Sequence, residues 1–191
     1  MPLDFSAPAL IECVRRYYPS RISRDEPGYT QSDEHQRMQQ RRREAAAETG
    51  PWQRFVQQVE EAFPFCDVVD NPSLINYPSY RCEVFLKQPA PSPLERTRED
   101  VVVCMISALT PVYALHARHL RDDGRERESW MRYPPLPPEF RPYEDTLAGL
   151  IESTLGATRL PNEVLFTRVP GIRPHRWPPN REPWLEELLF G

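Results

Sequence analysis

The chain has 191 residues, of which 39% are hydrophobic and 27% are charged, and its formal net charge is −4 at pH 7. This balance is typical of a globular protein, and it excludes the strongly basic surface that nonspecific nucleic-acid binding requires. Because no apolar run approaches the roughly 20 residues that span a bilayer, and the first residues do not resemble a signal peptide, we expect a cytoplasmic protein with no membrane partner.

The first part of the chain, residues 1–64, predicts three helices. Apolar residues at steps of three and four predict a first helix that ends before Pro19. A polar stretch at residues 33–48, which Ser32 is placed to cap, predicts a second helix on the surface. Pro51 then opens a third helix with a single apolar stripe, which is typical of a helix packed on a core. The stripe consists of Trp52, Phe55, Val56, Val59, Ala62 and Phe63.

The middle part, residues 65–169, predicts a sheet. Residues 65–69 are a short strand candidate. Apolar side chains alternate with polar ones at residues 80–86, which predicts a strand with one buried face. Residues 101–106 are apolar at every position, so this strand is expected to be covered on both faces. The apolar stretch from 101 to 120 is interrupted by Thr110 and Pro111 and predicts either a tight hairpin or one bent strand.

The rest of the chain predicts a charged tip at residues 121–129, a proline-rich connector at 133–138 and a helix at 143–155. Gly156 marks the end of that helix. Alternating apolar residues at 164–169 predict a last strand. Residues 170–191 are proline-rich and end in a short helix. The chain contains 23 prolines and only 7 glycines, so its connectors are expected to be stiff.

This order of elements predicts an α+β fold of one domain, residues 1–191. We expect a mostly antiparallel sheet of four or five strands in residues 65–169, covered on one face by the third helix and the 143–155 helix. Residues 1–64 form the helical N-terminal part, and residues 170–191 the C-terminal segment.

No short catalytic or phosphate-binding motif is present. His116, Arg118 and His119 form the best local cluster, but residues 116 and 119 point to opposite faces of a strand, which argues against a shared metal. His116 and Arg118 share a face and could together contact a phosphate or a carboxylate. The four cysteines are widely spaced, and we interpret them as reduced and buried. The sequence therefore predicts no metal site and no cofactor.

Aromatic and acidic residues around the charged tip and the proline-rich segments are the more suggestive feature. Trp, Tyr and Arg dominate the energetically important positions of protein interfaces, and acidic side chains can complement a basic partner. The alternative is that the rings clamp the connectors onto the core. The candidate partner-binding residues are Asp122, Asp123, Glu126, Glu128, Trp130, Tyr133, Phe140 and Trp177.

The resulting hypothesis is a small protein-binding module, monomeric or homodimeric, of the type that bacteria use as antitoxins, immunity proteins or adaptors, with a toxin or effector as the partner. A second hypothesis is an enzyme without a short motif that acts on a phosphorylated or nucleotide substrate through His116, Arg118 and His119. Nucleic-acid binding through the arginines of residues 37–43 is disfavoured because Glu34, Glu44 and Glu48 dilute the basic face of that helix.

Overall fold

The structure is a computed structural model that describes residues 3–20, 22–23, 25–71, 74, 76–86, 97–122, 126–173 and 181–191. Within these ranges the chain forms six α-helices and six strands, together with a short 3-10 turn at Tyr29–Gln31. The helices are α1 (Ala7–Arg15), α2 (Asp33–Ala47), α3 (Thr49–Ala62), α4 (Arg141–Leu155), α5 (Asn162–Leu165) and α6 (Leu185–Leu189). The strands are β1 (Asp67–Asn71), β2 (Ser79–Phe85), β3 (Thr97–Ser107), β4 (Val112–Asp122), β5 (Arg127–Arg132) and β6 (Thr158–Arg159).

The strands form one sheet in the order β1-β2-β3-β4-β5, and each neighbouring pair is antiparallel. β6 adds a two-residue parallel pairing at the start of β4, so β4 has β3 along one side and both β5 and β6 along the other. The predicted α+β class with a mostly antiparallel sheet is confirmed. β3 and β4 form a hairpin, and Pro111 lies in its turn, where its missing N–H removes no ladder bond.

One face of the sheet is covered by α3 and α4, as the sequence predicts. The apolar stripe of α3 and the inner side of α4 bury their side chains against the alternate residues of β2, β3 and β4. This core includes Trp52, Phe55, Val59, Leu147 and Ile151 from the helices, and Cys82, Val84, Val102, Cys104 and Leu115 from the strands.

The other face of the sheet is covered by α1, α6 and the chain between β6 and residue 172. Residues 162–165 form a helix, so the strand expected at residues 164–169 is wrong. Leu165 and Val169 are both buried on this face. Residues four positions apart share a face in a strand as well as in a helix, so this pattern does not distinguish the two structures. Tyr18 fixes this layer by donating a hydrogen bond from its hydroxyl to the carbonyl of Leu188 at 2.8 Å.

The helix ends follow the local chemistry of the sequence. Ser32 caps α2, since its Oγ accepts a hydrogen bond from the backbone N–H of His35 at 3.3 Å. α2 buries only Met38 and Ala45 and lies on the surface as expected. Gly156 ends α4 in the left-handed conformation, with φ of 62°. Among the described residues, no helix is long and apolar enough to cross a membrane.

Candidate functional site

The predicted charged tip is largely strand. β4 continues to Asp122 and β5 begins at Arg127, so residues 121–122 and 127–129 of the predicted tip lie in strands. The sequence does not predict the end of β4 or the start of β5, because charged residues have low β-propensity. Cross-strand pairs of opposite charge compensate for that low propensity, since Arg121 lies opposite Glu128 and Asp122 lies opposite Arg127. Part of the acidic charge expected for a partner is therefore balanced within the hairpin.

β5 forms one edge of the sheet. It pairs with β4 on one side, and its other side is not paired with any strand of the described chain. All of its residues are exposed except Trp130, which is half-buried. Met131 is a large apolar residue of β5 that is exposed to solvent over 56% of its surface. An edge strand with exposed backbone groups is a template for pairing with another chain.

Trp130 anchors β5 to the rest of the sheet. Its indole is stacked on the imidazole of His119, with 5.3 Å between the ring centroids. The ring of Phe140 meets it edge-on at 5.7 Å, and the guanidinium carbon of Arg132 lies 5.0 Å from its ring centroid. The predicted partner residue Trp130 is thus held in a fixed orientation at the sheet edge, with part of its surface exposed.

The other predicted aromatic residues are in a different position. Phe140 is only 1% exposed and belongs to the core under α4, so its ring cannot contact a partner, and the expectation for this residue is corrected. Tyr133 is half-buried, and its hydroxyl donates a hydrogen bond to Glu186 at 2.8 Å. Both rings clamp the proline-rich connector onto the core, which is the packing alternative that the sequence left open.

The acidic candidates that the structure describes are at least partly exposed. Glu126 and Glu128 are exposed, and Asp122 is partly exposed. Asp123 and Trp177 lie outside the described residues.

The histidine cluster does not form one site. His116 and Arg118 point to the face that α1 and α6 cover, whereas His119 points to the face of α3 and α4, as the strand parity predicts. The Nδ1 atom of His119 is hydrogen-bonded to the carboxylate of Asp100, and Arg98 Nε lies 3.5 Å from the other oxygen of that carboxylate. The sheet therefore separates His119 from the other two residues of the enzyme hypothesis, His116 and Arg118.

His116 is almost completely buried, with 5% of its surface exposed. Burial, together with the positive charges of Arg81 and Arg118, lowers the pKa of His116 from 6.5 to about 4. Its Nδ1 atom has no hydrogen-bond partner among the described residues. An uncharged ring without access to solvent is poorly placed to exchange protons with a substrate.

A cavity of about 360 Å³ lies between α2, α3 and the turn of the β3–β4 hairpin, and none of the predicted site residues lines it. Its main polar groups are already used by the chain itself. Arg41 Nε donates to the carbonyl of Ala108 at 2.7 Å, and the Tyr80 hydroxyl donates to the carbonyl of Ala45 at 2.5 Å. Ligand sites usually present polar groups that converge on the ligand, and here these two groups are committed to the fold.

The cysteines are free thiols, and Cys82 lies directly opposite Cys104 in the buried pairing of β2 with β3. Burial and the hydrogen bond with Cys82 raise the pKa of Cys104 well above its ordinary value, so this thiol is uncharged. In the part of the chain that the structure describes, no group of three or more His, Cys, Asp or Glu side chains is arranged to hold a metal ion.

Comparison with known protein families, with curated proteins and with solved structures finds no match to this chain. The geometry of the molecule therefore carries the functional argument.

Proposed function

We propose that this protein is a binding module that occludes another protein, of the antitoxin, immunity or adaptor type, and that it acts in the bacterial cytoplasm. The observation that carries the proposal is the edge of β5, which no other described strand pairs with and which Trp130 anchors to the core. The free thiols agree with a reducing compartment.

The edge of β5 can bind a partner by strand addition. In this mode an extended segment of the partner pairs with the edge through main-chain hydrogen bonds, and alternate side chains provide specificity. Met131 offers an apolar contact on one face of β5, and Trp130 offers an aromatic one on the other, since neighbouring residues of a strand point to opposite faces. Trp and Arg are common at the centres of protein interfaces, and β5 contains one Trp and two Arg residues.

The opposite edge of the sheet is the competing surface. β1 contains Val69, which is 44% exposed, and Phe65 precedes it with 77% exposed. β1 is one residue shorter than β5 and contains two aspartates but no aromatic residue. Its Asp70 already accepts a hydrogen bond from Trp52 Nε1 at 2.8 Å. We therefore assign partner binding to β5 and use β1 as the control surface.

The test is co-expression of the tagged protein with the products of its neighbouring genes, followed by purification of the complex. Met131→Asp places a charge on the exposed β5 edge, and Val69→Asp makes the matched change on β1. We expect the first variant to lose the partner and the second to keep it, with both retaining the far-UV circular dichroism of the wild type. If only Val69→Asp abolishes partner binding, or if neither variant does, the interface does not lie on the β5 edge.

The antitoxin or immunity role has its own readout. Co-expression should restore growth of cells that are inhibited by the partner, and Met131→Asp should abolish that rescue. If the partner binds but has no toxicity, the adaptor role remains and the antitoxin role does not.

The enzyme alternative retains one supporting observation, which is the hydrogen bond between His119 and Asp100. A carboxylate that orients a histidine is common in acid–base catalysis. Its test is turnover of phosphomonoesters and nucleotides by the wild type and by His119→Gln. Turnover that the substitution abolishes would favour the enzyme, whereas equal rates in both proteins would dismiss this pair as catalytic.

A further inference from the structure

We infer that the strand which pairs with the open edge of β5 in the free protein is the β5 of a second copy of this chain, in a twofold antiparallel dimer centred on Trp130. This inference rests on the proposed function, because it names an occupant of the same edge. The reason is the arrangement of charges along the strand.

The sequence of β5 is Arg-Glu-Ser-Trp-Met-Arg. In an antiparallel pairing centred on one residue, the residue two positions before it lies opposite the residue two positions after it in the other copy. A twofold axis at Trp130 therefore places Glu128 of each copy opposite Arg132 of the other. Two ion pairs of opposite charge flank a central pair of indoles, and directly opposite residues are the pairs that interact most strongly in a sheet.

Other antiparallel registers lack this match. A twofold antiparallel pairing must be centred on a residue, because directly opposite residues point to the same face of the sheet. A shift of one residue places Glu128 opposite Trp130. Among registers that overlap by three or more residues of β5, only the one centred on Trp130 brings opposite charges together. Charged side chains on an edge strand disfavour nonspecific pairing with other strands. The charges of β5 therefore disfavour any strand that does not place opposite charges across from Glu128 and Arg132.

The side chains that this dimer needs lie at the exposed edge, where Glu128 also has Arg121 opposite it on β4 and Arg132 also contacts the Trp130 ring. Glu128, Trp130 and Arg132 share one face of β5, and Ser129 and Met131 share the other. Four of these five residues are exposed, and Trp130 is half-buried. The stack of His119 on Trp130 would continue across the twofold axis as a row of four rings. β1 offers no such match, since pairing centred on Val69 places Asp67 opposite Asn71 and Val68 opposite Asp70.

The expected dimer is weak and sensitive to salt. Five residues from each copy pair in the strand, which is a small contact compared with the standard interface of about 1,600 Å². Its ion pairs are exposed, so added salt screens them. Because the second copy and a foreign partner use the same edge, dissociation of the dimer should precede binding of that partner.

The main experiment is sedimentation analysis of the full chain over a wide range of concentrations. Glu128→Arg and Arg132→Glu each convert both ion pairs into like-charge pairs, and we expect dimerisation to weaken by about tenfold or more. The double variant Glu128→Arg/Arg132→Glu recreates both pairs with reversed signs and should recover most of the wild-type affinity. Glu60→Arg, on an exposed position of α3, is the matched charge control and should dimerise like the wild type.

A cross-linking experiment tests the register independently. Ser129 of one copy lies opposite Met131 of the other, so a mixture of Ser129→Cys and Met131→Cys proteins should form an intermolecular disulfide under mild oxidation. Each variant alone should form much less, because its new thiol then faces the unmodified residue. The wild type gives the background from the four native cysteines.

A wild type that remains monomeric at every concentration would overturn the inference. So would a dimer whose affinity the double variant does not recover, because its interface would then lie elsewhere. Neither result decides the proposed function, since capture of a foreign partner through Met131 is measured separately and does not require the dimer.

Discussion

The indole of Trp130 lies nearly parallel to the imidazole of His119, with an angle of 18° between the ring planes. His119 is in turn hydrogen-bonded to Asp100, its direct neighbour on β3. Side chains from three adjacent strands therefore form a continuous row from the centre of the sheet to its edge. This row holds β5 in place and explains how an exposed edge strand can remain ordered.

Replacement of Trp130 by alanine should lower the free energy of unfolding by about 2 kcal/mol, because it removes the stack on His119 and the edge-on contact with Phe140. Urea denaturation measures this change. Met131→Ala is the control on the same strand and should cost less than about 0.5 kcal/mol, since that side chain is exposed. Equal losses in the two variants would contradict the anchoring role of Trp130.

Glu144 is a buried carboxylate near the start of α4. It is 7% exposed, pairs with the guanidinium of Arg159 and accepts the backbone N–H of Leu136 at 3.2 Å. Arg159→Met should therefore destabilise the fold by about 3 kcal/mol, because it leaves a buried charge without its partner. The double variant Glu144→Gln/Arg159→Met should lose less stability than Arg159→Met alone. A larger loss in the double variant would contradict this account.

The glycine that ends α4 and the glycine inside it should respond to alanine in opposite directions. Gly156 has φ of 62°, and no atom lies within 4 Å of an added Cβ, so Gly156→Ala is strained only by its backbone and should cost about 1 kcal/mol. Gly149 lies inside the helix with the same open space, so Gly149→Ala should stabilise by about 0.5 to 1 kcal/mol. Thermal unfolding of both variants checks the signs, and a common sign would refute the argument.

His116 should make the protein less stable as the pH falls. Its pKa in the folded state is about 4, against 6.5 for an ordinary histidine, so the unfolded chain binds a proton first. Stability is therefore lost between pH 6.5 and about 4, by up to about 3 kcal/mol. Glu186 acts in the opposite direction at the acid end of this range, because burial raises the pKa of its carboxyl group.

The measurement for His116 compares the free energy of unfolding of the wild type and of His116→Gln from pH 7 to pH 4. The difference between them isolates this group from Glu186 and the other acids. We expect the wild type to lose more stability than the variant across the range. Parallel curves would show that the ring does not remain uncharged in the folded protein.

The sequence is most informative where a local rule acts alone. The alternation at residues 80–86, the cap at Ser32 and the stop at Gly156 were all predictable, because strand period, capping and left-handed backbone are properties of short segments. β5 was not predictable, because its charged residues disfavour a strand until β4 supplies partners of opposite charge.

The candidate site was only partly predictable for a related reason. Composition singles out Trp130 and Phe140 equally, since both are aromatic residues beside the proline-rich connector. Only the tertiary fold places one ring at the sheet edge and the other in the core. The stack of Trp130 on His119 likewise depends on a pairing register that no pattern within one segment specifies.

The cover over the second face of the sheet has a consequence for biosynthesis. Leu185, Leu188 and Phe190 are fully buried against strands that lie about 70 to 110 residues earlier in the chain. Strands β2 to β4 leave the ribosome well before these side chains do. One apolar face of the nascent sheet therefore remains exposed to solvent until the C-terminal residues are synthesised. A pause in translation before residue 185 should therefore produce an aggregation-prone intermediate. Its lifetime should depend on how soon α6 is synthesised and packs on the sheet.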